Sequence, residues 1–348
     1  MPSPVFSDRI SMKMEPCYLG TLKRSDPLYD ILYADVCPSV RDPVFHVDLI
    51  SLDKVYKYTE EKSRTAIIGK FFKPGDSASG RALRIKGEFD KLCQLRRYGF
   101  DASPHYVVRP ISRDENIGLA LTEEFISGRS LDYFLEKAAG SGKGHNPLVV
   151  ALGKLASFLS ALHSRTRDGA LVDLAPVLAH YSKVVSKLVR QQVLSRREMS
   201  GVLRLVEKWL KRPFLARARS SIVHGDATPT NFLFTESGDV VAIDLERMKN
   251  ADPVFDAGMV CGELKHAFLW RTGDPSAAEP YISHFLRSYS KPADPKEKDK
   301  AFLRTARRNP FYMALAEFRI ARNGYLGSQY RRTIALEAMS CLKWGLRI

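Results

Sequence analysis

Two short stretches constrain this chain more than any others: Ile222-Val-His-Gly-Asp-Ala-Thr-Pro-Thr-Asn231 and, just after it, Val240-Val-Ala-Ile-Asp244-Leu-Glu246. Asp226, Asn231 five residues on, and Asp244 thirteen further stand at fixed intervals. Asp226 falls in a short loop after an apolar strand start, and Asp244 ends the second apolar run, Val240–Ile243. Hard oxygen ligands from two adjacent loops suit Mg²⁺, which keeps several waters and takes only one or two protein carboxylates. Taken singly, each Asp or Asn would also serve as a turn or capping residue, for local reasons.

The 348 residues suffice for two domains or lobes, and 45% apolar with 27% charged residues describes an ordinary globular chain. No run of eighteen apolar residues occurs, and MPSPVFSDRISMKMEP lacks an apolar signal core. Five scattered cysteines without C-x-x-C spacing argue for reduced thiols in a cytoplasm, against a disulfide framework or zinc site. The net charge of +15 is uneven: residues 181–220 hold eleven Lys or Arg against two Glu, and residues 301–348 nine against two. Nucleic acid, an anionic membrane surface in peripheral contact, or an acidic substrate could exploit such fields, as could plain solvated helices. No nucleic-acid motif supports the first of these.

Along the chain, residues 1–44 are punctuated by Pro, Asp and Ser and read as an N-terminal extension partly packed on the first lobe. Strand signals follow at Val44–Ile50, Val55–Thr59, Thr65–Phe72, Tyr106–Ile111 and Gly118–Phe125. A turn at Pro74–Ser77 precedes a helix expected over Ser79–Tyr98. Ser130–Ala138 predicts a short helix, and Asn146-Pro147 opens a long one to about His163. Two more helices are expected across residues 171–212, and the chain beyond Ala257 is again helical. Ala138-Ala-Gly-Ser-Gly-Lys143-Gly lacks the spacing of a phosphate loop and reads as a linker.

The segment HGDATPTNFLF…VVAIDLERMKNADPVFDAG resembles the aminoglycoside phosphotransferase and choline kinase-like family of small-molecule kinases. In outline the resemblance covers residues 45–348, with the distinctive motifs inside Ile222–Gly258. It implies an α+β, bilobal, protein-kinase-like fold: a small antiparallel-sheet N-lobe with one helix over 45–125, and a larger, mainly helical C-lobe over 126–348. It also implies ATP and Mg²⁺ as cofactors. Asp226 would be the catalytic base that orients the acceptor hydroxyl; its ordinary pKa of about 3.9 makes it weak, which matters less in a loose phosphoryl transfer. Asn231 and Asp244 would hold Mg²⁺, and Glu246 would add a contact or stand as an exposed strand-end carboxylate. Thr228 sits where protein kinases carry a lysine. Lys70 resembles the phosphate-contacting lysine, with Lys73 as the competing assignment and Glu88 as its partner. Glu123–Gly128 resembles the interlobe hinge, where Glu124 and Ile126 would offer backbone groups to an adenine edge. Leu162-His163 matches the family's Leu-His pair, His224 would support the loop, and Asp256 would anchor it.

Three departures from the pattern stand out. Gly225 replaces the Arg of the kinase H-R-D, Asp-Leu-Glu replaces Asp-Phe-Gly, and the hairpin Ile50-Ser-Leu-Asp-Lys54 contains no glycine. Only eleven residues separate Asp244 from Asp256, none with a hydroxyl, so there is no phosphorylatable activation loop to seat a peptide. A small-molecule hydroxyl acceptor is expected, whether a sugar, an amino alcohol or an antibiotic, and the basic helices favour a neutral or anionic sugar over a polycation. A nucleotide-binding scaffold without turnover is the alternative; a nucleic-acid-binding protein is the third reading.

Overall fold

A computed structural model describes residues 17–51, 54–71, 87–141, 145–292 and 294–347. The chain divides into two compact units, one made of Met1–Gln94 and Val108–Phe125, the other of Leu95–Val107 and Ile126–Ile348.

The first unit is built on an antiparallel sheet of six strands in the order β1-β2-β3-β4-β8-β7. These are β1 (Cys17–Thr21), β2 (Phe45–Ser51), β3 (Val55–Glu60), β4 (Ala66–Phe71), β7 (Pro110–Asp114) and β8 (Leu119–Glu124), with β5 and β6 lying in the other unit. The stretch before residue 45 is more ordered than its punctuation suggests. Cys17–Thr21 pairs with β2, and Pro27–Val36 forms helix α1. Asp26-Pro27, which reads as a break, is in fact a helix start. The Asp26 side chain accepts from the Leu28 amide at 2.9 Å, and Pro27 occupies a first-turn position where no amide is needed. Leu28, Tyr29 and Leu32 then bury against Phe45, Tyr58 and Ile67. Helix α2 (Glu88–Arg97) carries Glu88 in its first turn. The Pro74–Ser77 turn, Lys73, the expected helix segment before residue 87 and most of the 138–144 linker's Gly-Lys end lie outside the described residues.

In the second unit, β5 (Asp101–Ala102), β6 (His105–Val107), β12 (Val240–Ala242), β11 (Phe232–Phe234) and β9 (Arg129–Ser130) form a sheet in that order. The β6–β12 pair is parallel and the rest antiparallel. A second pair joins β10 (Ser221–Val223) to β13 (Lys249–Ala251). The single strand expected over Tyr106–Ile111 is therefore two: His105–Val107 belongs here, while Pro110–Asp114 joins the other sheet. Proline cannot donate to a ladder and is tolerated as the first residue of a strand, which is where Pro110 stands.

Helices make up the remainder: α3 (Leu131–Ser141), α4 (His145–Arg165), α5 (Ala175–Arg190), α6 (Arg196–Leu210), α7 (Pro213–Ala216), α8 (Val254–Thr272), α9 (Glu279–Tyr289), α10 (Lys298–Ala306), α11 (Asn309–Ala321) and α12 (Ser328–Gly345). By length and composition α4 alone among the described helices could cross a membrane, but half of that stretch is buried within the protein. Leu148, Leu152, Leu155, Leu159 and Leu162 form its buried side. Helices α8 and α11 approach closely. A Cβ on Gly258 would come within 2.4 Å of the Tyr312 Cβ, and one on Gly262 within 2.5 Å of the Ala316 Cβ. Glycine at both positions lets the two backbones meet, at some loss of helix propensity.

Every residue of α11 is buried, including Glu317 and Arg319. Burial pushes the Glu317 carboxyl up to about 8, with Lys265 3.9 Å away as a partial offset. A carboxyl raised in the folded state is least unfavourable below its unfolded pKa of about 4.5 and loses stability as pH rises through about 8. Glu317→Gln is therefore expected to raise the melting temperature more at pH 8 than at pH 5. An equal change at both pH values would show that Glu317 is ionised in the fold.

Candidate active site

The loop that carries Asp226 is held from behind. Strand β10 ends at Val223, and His224 and Gly225 then turn their amides onto one buried carboxylate: His224 N donates to Asp256 Oδ2 at 2.7 Å and Gly225 N to Asp256 Oδ1 at 3.0 Å. His163 Nε2 meets the same Oδ2 at 3.0 Å, and its Nδ1 meets the Tyr289 hydroxyl at 2.8 Å. Burial opposes charge on Asp256, yet the His163 hydrogen bond and the loop amides hold its carboxyl below the usual carboxylate range. His224 is itself fully buried. Its Nδ1 faces the Asp226 amide at 3.4 Å, so Nε2 is the nitrogen left to donate to the Ile243 carbonyl at 3.1 Å.

Gly225 is the one position in this loop with positive φ, +82°. A Cβ there would lie 2.1 Å from the Arg247 carbonyl oxygen, so neither an arginine nor an alanine fits. Gly225→Ala is expected to cost more than about 1 kcal/mol of stability. A urea midpoint identical to that of the parent would show that the loop is not held as described.

Asn231 and Asp244 come together across the β11–β12 hairpin. Phe232 pairs with Ala242, and the Ile243 amide donates to the Asn231 carbonyl at 3.0 Å. The Asn231 Nδ2 donates to the Asp226 carbonyl at 2.9 Å, which leaves its Oδ1 as an acceptor. Asp244 adopts left-handed backbone angles, φ 60° and ψ 59°. Non-glycine residues there are uncommon, and such strain concentrates at functional sites. Among the described residues its carboxylate takes part in no hydrogen bond or ion pair that would compete for an incoming cation. The donor set, one free carboxylate and one amide oxygen, fits Mg²⁺. Thr228 closes the turn, its amide donating to the Asp226 carbonyl at 2.7 Å. Glu246 lies beside Arg247, 3.4 Å from its Nε.

Asp226 itself is paired, which the motif alone does not reveal. Its Oδ1 accepts from Arg319 at 2.5 Å and its Oδ2 lies 3.4 Å from Arg247 Nε. Burial favours the neutral acid, but Arg319 and then Arg247 hold the carboxyl below the usual range. Arg319 also reaches the Met259 sulfur at 3.2 Å, and its Nε is buried without a hydrogen-bond partner among the described residues. Further cations surround the pair. Desolvation and then the charges of Arg319 and Arg247 lower Arg322, and Lys249 is lowered by the same causes against the pull of Asp256. Burial and then Arg319, Lys249, Arg322 and Arg247 drive His180 down to about 3, so it is neutral at pH 7. Glu263 is the nearby counterweight. It keeps some surface open, yet enclosure raises its carboxyl to about 7 against the pull of Arg319. The sequence does hold a signal for Arg319: Met313-Ala-Leu-Ala-Glu-Phe-Arg319-Ile-Ala is an apolar helix run broken by a charge that must be paired if buried.

The first unit holds its own group of charges. Lys70, on β4 opposite Leu121 of β8, places its Nζ 2.9 Å from Glu88 Oε1 and 3.3 Å from Glu123 Oε1. Glu88 is almost fully buried. Sequence reasoning pairs Lys70 with Glu88 and misses Glu123. Glu124 ends β8, where its side chain accepts from the Arg109 amide at 2.6 Å. Ile126 begins the next unit of the chain.

No curated protein matches the sequence. Among solved structures, an ethanolamine kinase from Plasmodium vivax superposes with a TM-score of 0.60 at 12% identity, covering 89% of this chain and 87% of that one. Choline kinase LicA from Streptococcus pneumoniae gives 0.51 at 19%, covering 85% and 92%. The aminoglycoside phosphotransferase APH(2'')-Ib, ADP-bound, gives 0.52 at 14%, covering 91% and 97%. At these identities the likeness is one of fold: α+β, with an antiparallel-sheet N-terminal part, a helical C-terminal part and protein-kinase-like architecture. A sequence profile of the phosphotransferase enzyme family matches residues 52–297, well over half of the chain. The chain belongs to the phosphotransferase enzyme family.

Proposed function

We propose that the protein transfers the γ-phosphoryl group of ATP to a hydroxyl of a small molecule, with Asp226 as the catalytic base. The observation that carries this reading is the convergence of the Asp226 loop, Asn231 and the strained, uncommitted Asp244 on one hairpin edge. Asn231 and Asp244 are assigned as the Mg²⁺ ligands; when bound, the ion would neutralise charge on the nucleotide phosphates. Lys70, steadied by Glu88, is assigned to a nucleotide phosphate, Thr228 to a phosphoryl oxygen, and the backbone of Glu124 and Ile126 to the adenine edge. Because arginines keep Asp226 ionised, its role is to accept a hydrogen bond from the acceptor hydroxyl and aim it. As the new O–P bond forms, the bond from the γ-phosphorus to the bridging oxygen breaks, ADP leaves, and the hydroxyl proton passes to the carboxylate. Lys70→Met is expected to raise the KM for ATP at least about tenfold, a loss of about 1.4 kcal/mol, with the KM for the acceptor unchanged. Equal shifts in both KM values would remove Lys70 from the nucleotide site.

The charge around Asp226 bears on the acceptor. Arg247, Arg319, Arg322 and Lys249 face Asp226, Glu246 beside Arg247 and a half-neutral Glu263, with Asp256 pulling on Lys249. Arg322 and Lys249 are lowered by desolvation and then by the neighbouring arginines and stand ready for an acceptor's oxygens, so a neutral or anionic sugar is the proposed acceptor class. An ATP-consumption screen over neutral, anionic and cationic hydroxyl compounds tests this, and turnover confined to aminoglycosides or choline would overturn it. The nucleotide-binding scaffold is the second reading, favoured by the glycine-free Ile50–Lys54 hairpin. A Mg²⁺-dependent thermal shift with ATP but no transfer to any acceptor would establish it.

A further inference from the structure

A second concave site lies in the helical unit, and none of Asp226, Asn231 or Asp244 lines it. It is a cavity of about 780 Å³, formed where the end of α4, the α7–β10 segment, the end of α9 and helix α10 converge. That volume falls in the range of small-ligand pockets, roughly 300–1,000 Å³. Seven lysine and arginine side chains line it, and among the described residues no aspartate or glutamate does. Three of the cations have protein partners. Arg308 pairs with buried Asp252 at 2.7 Å, Arg304 lies 3.9 Å from Glu297, and Arg219 donates to the Gly169 carbonyl at 2.6 Å. For Arg167, Arg217, Lys291 and Arg307, no hydrogen bond or ion pair involving the side chain is found among the described residues.

Some basic side chains elsewhere on the chain are paired with acids instead. Arg332 on α12, for example, is clamped by Glu198 of α6 at 2.6 Å, and Arg271 by Asp132 at 3.5 Å. A concave wall of like charges without counter-charge is electrostatically unfavourable, and low-dielectric walls focus the field into the recess. An anion that enters the recess relieves that repulsion. Phe214, Tyr289 and Pro292 supply the apolar part of the wall. From this we infer that the cavity between α4, α7, α9 and α10 is a binding site for a compact anion carrying two or more phosphate groups. A single phosphate would answer one or two of the four free cations. An extended phosphodiester would instead call for a stripe along a face, whereas these cations converge on one recess. The inference does not depend on the phosphotransfer reading.

The test is isothermal titration calorimetry of the full chain with inorganic tripolyphosphate, at about 0.15 M salt and without divalent cations. One-to-one binding is expected, weakened at least tenfold in the double variant Arg217→Glu/Arg307→Glu and retained in Lys70→Met. Both arginines are exposed, and an unchanged melting curve verifies the fold of the variant. Should that variant be unstable, Arg167→Ser/Lys291→Ser must show the same loss. Binding lost in Lys70→Met but kept in the charge variants would place the ligand elsewhere and overturn the inference, as would no binding by the parent protein. Tighter binding of a single-stranded RNA of about 20 nucleotides, lost in the same charge variants, would overturn it in favour of nucleic acid. Co-sedimentation with phosphatidylcholine vesicles carrying phosphatidylinositol bisphosphate, lost in the same variants, would assign the phosphates to a lipid headgroup. Tripolyphosphate binding without co-sedimentation would assign them to a free anion.

Discussion

Asp226→Asn is expected to reduce phosphoryl transfer by about 10²–10⁴-fold, the usual worth of a positioned general base, while Mg²⁺-ATP affinity stays within a factor of about two. The substitution keeps the shape of the side chain and removes its charge and one of its two acceptor oxygens. The Asp226 carbonyl that Asn231 contacts belongs to the backbone and stays in place. The complication is Arg319, which would lose the one ionic partner it has among the described residues. An arginine left buried without a counter-charge destabilises by roughly 3–5 kcal/mol, so part of any lost activity could come from unfolding. Measuring transfer well below the melting temperature of the variant, together with ATP affinity by calorimetry, separates the two effects. Retained turnover in a folded Asp226→Asn protein would dismiss Asp226 as the base.

Asp256→Ala should have the largest effect on the fold. Its carboxylate accepts from two consecutive loop amides and from His163, all away from water. Removing it strands those donors, each worth about 1–3 kcal/mol when left unsatisfied. A loss of roughly 3–5 kcal/mol in urea unfolding is expected, accompanied by loss of turnover because the Asp226 loop loses its backing. Asp256 is held ionised, so its contribution is present above the unfolded carboxylate pKa and is lost as pH falls through its depressed folded value. A double-mutant cycle with His163→Ala checks the geometry. Additive effects would mean that the two residues act independently, contrary to their 3.0 Å contact.

Local chemistry makes much of this architecture legible in the amino-acid sequence. The apolar runs around residues 222 and 240, with polar residues at set intervals, are enough to anticipate two neighbouring loops, and the Lys70–Glu88 pairing follows from a strand and a helix at the right separation. What escapes is non-local. The contact between Asp226 and Arg319 spans 93 residues, and no local pattern announces it. The first strand and α1 are missed because Ser-Asp-Pro is ambiguous: the same residues that end a strand also cap a helix. The division of Tyr106–Ile111 between two sheets is hidden because β-propensity reports that a segment is extended, not which sheet it joins.

The two glycines between α8 and α11 have a bearing on how this protein can be re-engineered. With no slack between Gly258 and Tyr312 or Gly262 and Ala316, the helix that begins at the loop anchor and the helix that carries Arg319 form one rigid frame. Mutational libraries aimed at a new acceptor would waste their diversity on that frame, where added volume forces the backbones apart. His180 and Arg322, partly exposed, and Lys249, exposed, all feel the charges of Arg319 and Arg247 and are where selection for altered substrates should find its productive variants.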